Sequence, residues 1–416
     1  MRGAKKTVAA IAFTLIWAVG LSACGEKEEP SPNAAFSFGP QAHEAQPKTV
    51  GDFIPLFAEQ LKRYSEAAPE LWPANAVVSQ SAVIEDVDTR RLWLIASDGT
   101  ATPLSEDEAD SMGIIRRDGA SDFSFFDGGT YITVSEEDVN DQPRWKKYIH
   151  LGTYDALLWL THESFHGLEQ SKWAAIEPED IANRDRNEFL EDTPARAKRD
   201  LLQRQLLKAV SEPGDTQLIL EALATYEDWK AKFPEDYQNA LYFDRIEGTA
   251  FYYELVSSLY SAYPDQVKGK NDIDRALAQL AAQEDAHVYH YLGVVAEGYS
   301  VGGFACVLLD RLESDWKERL MDDPEATPIE MLYQHFCDET LPKPTQLTQV
   351  EIDLVTGKIL EKYKQLVEAK RKGLRLIEEM LLGLPEEQQG AIEDYMREVR
   401  LDLENLEKLI QELQDG

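Results

Sequence analysis

Hydrophobic and polar positions follow three rhythms along the chain, each marking a different part of it. Phe53, Phe57, Leu61 and Tyr64 recur at helical spacing before Pro69 and Pro73, which predicts a helix over Phe53 to Ala67. Short β-like runs follow at Ala76 to Val87, Arg91 to Ala96, Ile114 to Arg117, Asp122 to Phe126 and Gly129 to Ser135. Turn signals at Ser97-Asp98-Gly99, Asp118-Gly119 and Asp127-Gly128-Gly129 separate them, so a small, mostly antiparallel sheet is expected. The acidic run Ser105 to Asp110 lacks the turn glycine of an EF-hand loop and reads as a solvated face.

From about Glu137 the period is helical, over Tyr154 to Gln170, Ala195 to Val210, Thr216 to Lys232, Asn239 to Tyr260, Asp272 to Leu292 and Val301 to Met321. The tail is charged, with apolar positions at helical intervals over Gln349 to Leu382 and Glu386 to Leu413, and Gly383 and Pro385 lie between its halves. This predicts a helical hairpin over 346–416, packed on its own chain or paired with another. The fold class is therefore α+β: a sheet over about 76–135, a mainly helical part over about 137–345, and the hairpin.

The N-terminus is a targeting device. Arg2, Lys5 and Lys6 precede an apolar run from Thr7 to Gly20, which ends in Leu21-Ser22-Ala23-Cys24. Those four residues resemble a bacterial lipobox, which implies a signal peptide over 1–23 and a lipid on Cys24 that anchors the mature chain outside the cytoplasm. Residues 24–50, rich in Pro, Glu, Ala and Ser, read as a flexible tether. The formal net charge of −34 disfavours nucleic acid as a partner of the folded part. Cys306 and Cys337 remain, as one disulfide or as two thiols.

The chemistry sits in His162-Glu163-Ser164-Phe165-His166. On a helix, residues four apart share a face, so both imidazoles can aim at one metal ion with Glu163 beside them. Zinc in a catalytic site takes three protein ligands, and the third is sought in a polar residue that an apolar helix would otherwise bury at a cost. Glu247, in Arg245-Ile246-Glu247-Gly248-Thr249-Ala250-Phe251, is such a residue; an ion pair with Arg245 is the plainer alternative, and Glu221 or Glu254 are substitutes.

An H-E-x-x-H helix followed by a helix carrying a glutamate resembles the gluzincin group of zinc metallopeptidases. The resemblance covers Tyr154 to Gln170 and, more loosely, Asp244 to Glu254; the interval between them is longer than in compact members. It implies a zincin-like domain over 51–345 and makes His162, His166 and Glu247 the Zn2+ ligands and Glu163 the general base. A peptide or protein substrate would then be hydrolysed through a zinc-bound water, its backbone pairing with a sheet edge at Gly129 to Ser135. Tyr299, or a residue of His287-Val288-Tyr289-His290-Tyr291, would donate to the oxyanion. Two other classes stay open. One is a non-catalytic surface lipoprotein on the same fold. The other is a carboxylate-bridged di-iron bundle using Glu163, His166, Glu284 and His287 with Glu221 and Glu247.

Overall fold

The computed structural model describes residues 47–67, 71–73, 77, 80–116, 123–126, 128–140, 153–173, 193–264, 266–282, 292–381 and 386–415. The signal segment, Cys24 and all but the end of the tether lie outside them, as do Glu284 and residues 287–291. The described residues divide between Leu347 and Thr348 into two units. Among them no helix is long and apolar enough to cross a membrane.

In the first unit, strands β1 (Ser81–Asp86), β2 (Leu92–Ile95), β3 (Ala101–Leu104), β4 (Phe123–Phe126) and β5 (Gly129–Val134) form one sheet in the order β3-β2-β1-β5-β4. The sheet is mixed: β1 and β5 run parallel, and the other neighbours run antiparallel. Alternation sends Ala82, Ile84, Ile132 and Val134 into the main core, and Val83 and Tyr131 into a smaller core with Leu92, Ala109 and Ile114. Both faces are thus covered, which is why every residue of β5 is buried.

Three expectations change here. β5 is interior, so the sheet edge beside it is β4, not Gly129 to Ser135. Ile114 to Arg116 is unpaired; Ile114 plugs the smaller core and Arg116 makes a two-point bond to the buried Glu85. The missing strand is β3, whose Pro103 hid it; proline is tolerated there because β3 is an edge. The acidic run is the helix α2 (Glu106–Ser111), started by a capping box between Ser105 and Glu108.

Helix α1 (Val50–Ala67) buries Phe53, Phe57, Leu61 and Tyr64 as one apolar stripe. After the short α3 (Glu136–Asn140) comes α4 (Asp155–Ser164), the helix of the histidine motif. Its first residue has no side-chain cap of its own; instead the Tyr154 amide donates to Oε1 of Gln60 on α1 at 3.1 Å. A hydroxyl pair at 2.9 Å, Thr130 on β5 with Ser164, seats the other end of α4 on the sheet.

The helical part continues with α5 (Thr193–Ser211), α6 (Thr216–Lys232), α7 (Pro234–Ala262), α8 (Lys270–Ala281), α9 (Val294–Leu312), α10 (Trp316–Asp322) and α11 (Pro328–His335). From Gly248 to Ser261 α7 is buried on all sides, so it is the central helix, and α9 is its most extensive neighbour. They approach closely because Gly248, Gly298 and Gly302 meet at the crossing. A Cβ on Gly302 would run into the Asp244 carbonyl, and one on Gly248 into the backbone of Gly302. A buried ionic cluster ties α5 to both helices. Arg199 grips Asp244 in a two-point bond and reaches Glu297 at 3.4 Å, and Arg196 pairs with Glu297 and Asp236. Burial raises the Asp236 and Asp244 pKa values despite the arginines.

The second unit is a hairpin of α12 (Gln349–Leu381) and α13 (Glu386–Asp415). Met396, Val399, Leu403 and Leu406 are its buried seam, and Lys370 to Asp402, Arg371 to Glu407 and Arg400 to Glu378 pair across it.

Alanine at two helical glycines is expected to act with opposite signs. Gly302→Ala overpacks the α7–α9 crossing and costs about 2 kcal/mol or more, whereas Gly357→Ala on α12, where a Cβ meets nothing, adds about 0.5–1 kcal/mol. Denaturant unfolding of each variant checks this, and a neutral Gly302→Ala contradicts the close crossing.

Candidate metal centre

The motif helix changes its winding in the middle of the motif. Residues Asp155–Ser164 are α-helical, Phe165–Glu169 make one π-turn, and Gln170–Lys172 close with a 3-10 turn. Such π-turns recur at functional sites because they re-aim side chains. Here Phe165 is fixed by an edge-on contact with Trp72 and a stack on Tyr253, while the turn brings His166 round to His162. The two rings lie 4.7 Å apart and nearly perpendicular, with their Nε2 atoms 3.1 Å apart.

Helix α7 delivers Glu247 to the same point. Its Oε2 is 3.4 Å from Nε2 of His162 and 3.4 Å from Nε2 of His166, and has no partner in hydrogen-bonding geometry. Donors about 2.0–2.1 Å from a tetrahedral zinc stand about 3.3–3.4 Å apart, so two sides of the triangle match that spacing and the 3.1 Å side between the histidines is slightly short of it. A buried carboxylate oxygen facing two ring nitrogens is also what a cation resolves. Side-chain exposure rises from 7 % at His162 through 17 % at Glu247 to 24 % at His166, which leaves the triangle open on the His166 side. Glu163 is exposed on that helix, and its charge is felt at both His162 and Tyr299.

Each histidine is engaged at its other nitrogen. His166 Nδ1 lies 2.6 Å from Gln170 Oε1, and His162 Nδ1 lies 3.0 Å from Glu254 Oε2, an ion-pair contact out of line for a hydrogen bond. Glu254 is two turns beyond Glu247 on α7 and is therefore an outer partner of His162, not a substitute for Glu247 in the triangle. Metal-bound histidines characteristically have such partners, which fix the ring and leave Nε2 for the ion. Burial disfavours charge on His162, but the carboxylates of Glu247 and Glu254, with Glu163, outweigh it and hold the imidazolium well above the ordinary histidine range. Burial acts on Glu247 to raise its pKa; the two histidines overcome this and hold it well below the carboxylate range.

Tyr299 of α9 stacks on His162, with ring centroids 5.3 Å apart and planes within 2°. Its phenol faces Glu247, and burial, then the charges of Glu247, Glu163 and Glu254, push its pKa well above 10. Arg245 takes no part: its guanidinium donates to the carbonyls of Leu320, Asp323 and Ala326 around the end of α10, so the expected alternative of an Arg245–Glu247 pair is set aside. Glu221 accepts from Gln217 on its own helix and does not join the group. Of the six residues of the di-iron set, Glu284 and His287 lie outside the described residues and Glu221 stands apart, so only Glu163, His166 and Glu247 remain near the centre. Cys306 is buried and Cys337 exposed, and both are free thiols.

The signals for Gln170 and Glu254 were present in the sequence as spacings. Gln170 follows His166 by four residues, and Glu254 follows Glu247 by seven, each pair sharing a helical face.

Zinc entering this triangle has to displace the proton that the surrounding carboxylates hold on His162. Near neutral pH, binding is expected to release about one proton and to tighten as pH rises, measured by calorimetry in buffers of different ionisation enthalpy. Proton-neutral binding contradicts a protonated His162 in the metal-free protein.

No protein-family model, curated protein or solved structure matches the chain.

Proposed function

We propose that this chain is an extracytoplasmic zinc-dependent peptidase, held at a bacterial membrane by a lipid on Cys24, that hydrolyses peptide bonds with Glu163 as general base. The observation that carries the reading is the convergence of His162 Nε2, His166 Nε2 and Glu247 Oε2 at 3.1–3.4 Å, with both Nδ1 atoms turned away to Gln170 and Glu254. Zinc held by those three atoms supplies a Lewis acid that polarises a carbonyl and brings the pKa of a water to about 7.

The residues divide the remaining work. Glu163, exposed and with its charge felt at His162 and Tyr299, takes a proton from the attacking water and passes it to the departing amide nitrogen. Tyr299 keeps its phenolic proton across the physiological range and donates it as a hydrogen bond to the charge that develops on the substrate oxygen. An extended peptide pairs with β4, an edge strand among the described residues. The ring of Phe125 lies against Gly167, one residue past His166, and is 45 % exposed, so β4 lies beside the motif segment. A Cβ at position 167 would come 2.5 Å from the tip of that ring, which would have to turn aside.

Glu163→Gln is expected to lower the rate of peptide hydrolysis by about 10²-fold or more while leaving zinc stoichiometry at the wild-type value, measured by turnover of an unstructured protein substrate and by metal analysis. Activity within a few-fold of wild type rejects Glu163 as the base.

A further inference from the structure

Gln170 makes three hydrogen bonds that together decide which nitrogen of His166 is bare. Its Nε2 lies 2.7 Å from the carbonyl oxygen of Ile246 and 2.8 Å from the hydroxyl of Thr249, one residue before and two after Glu247 on α7. The Ile246 carbonyl is an acceptor only, so the Gln170 amide faces it with its NH2 group. The Thr249 hydroxyl donates to the Arg245 carbonyl at 2.7 Å, which leaves its lone pair for the second amide proton. With both amide protons placed, Oε1 is the atom that meets His166 Nδ1 at 2.6 Å. Turning the amide over would set oxygen against oxygen at Ile246. His166 therefore carries a proton on Nδ1, and in the neutral ring Nε2 is the lone-pair nitrogen.

We infer that Gln170 is a positioning residue for the metal centre: it sets the tautomer of His166 from the backbone of α7, and so couples the second histidine to the helix that presents Glu247. The inference rests on the metal reading for its consequence, though not for the tautomer itself. One side chain spans both halves of the donor set. Its amide is read by a main-chain carbonyl of α7, and its carbonyl by an imidazole on the motif helix. Loss of such an outer partner characteristically weakens metal binding about 10–100-fold.

Two variants separate the roles. Gln170→Met keeps the volume and removes all three bonds; Gln170→Glu keeps the acceptor for His166 and removes the donors to α7. The apo proteins are examined by nitrogen-15 NMR of the histidine rings, and zinc affinity is measured by competition with a chromophoric chelator. The wild type is expected to show His166 protonated at Nδ1, Gln170→Met to lose that tautomer and about 10–100-fold in zinc affinity, and Gln170→Glu to keep the tautomer and bind zinc more tightly than Gln170→Met. A wild-type His166 protonated at Nε2, or a Gln170→Met protein with unchanged tautomer and unchanged affinity, overturns the inference. A wild type that takes up no zinc overturns the metal reading instead, and the ring signals still decide the role of Gln170.

Discussion

A carboxylate oxygen enclosed by two imidazole nitrogens is the constraint on which the rest of this structure turns. Glu247 adjoins the stretch of α7, Gly248 to Ser261, that is buried on all sides, where charge without a partner costs several kcal/mol. Its Oε2 lacks a hydrogen bond, and the two nitrogens nearest to it belong to residues whose outward nitrogens are already engaged. Protons alone satisfy such a triangle poorly, since the two ring nitrogens 3.1 Å apart cannot both carry one comfortably. One divalent ion satisfies all three atoms at once.

The scaffold holds three helices in a fixed relation around that point. Helix α4 is anchored at its start by Gln60 and at its end by the Thr130–Ser164 pair. Helix α7 is held against α9 by glycines that let the backbones touch, and both are tied to α5 through Arg196 and Arg199. Asp244 lies one turn before Glu247, and Glu297 lies two residues before Tyr299. The ionic cluster thus fixes the register of Glu247 and Tyr299, two of the side chains that face His162. Buried charges of this kind add little net stability, but a half-broken cluster is costly, which favours a single packing of the three helices.

The parts of this arrangement that sequence made readable are those with a period. The motif, the carboxylate at Glu247 and the helix over Thr216–Lys232 follow from spacing and from polar residues set in apolar runs. The hairpin was readable for the same reason. Spacing carries no information on pairing partners. The parallel alignment of β1 with β5, the edge position of β4 and the strand hidden by Pro103 depend on which segments meet. The π-turn at Phe165–Glu169 was equally hidden, because it arises from the packing of Phe165 among Trp72, Trp173 and Tyr253 rather than from any residue preference. The spacing of Gln170 from His166 marks a shared helical face, but its role depends on the Ile246 carbonyl it bonds, which spacing does not reveal.

The most direct measurement is X-ray absorption spectroscopy of the zinc-loaded protein. The account predicts one zinc with low-atomic-number neighbours at about 2.0–2.1 Å and the multiple scattering of two imidazoles, falling to one imidazole in His162→Ala. A sulfur shell near 2.3 Å, or a shell of oxygens without imidazole scattering, contradicts it.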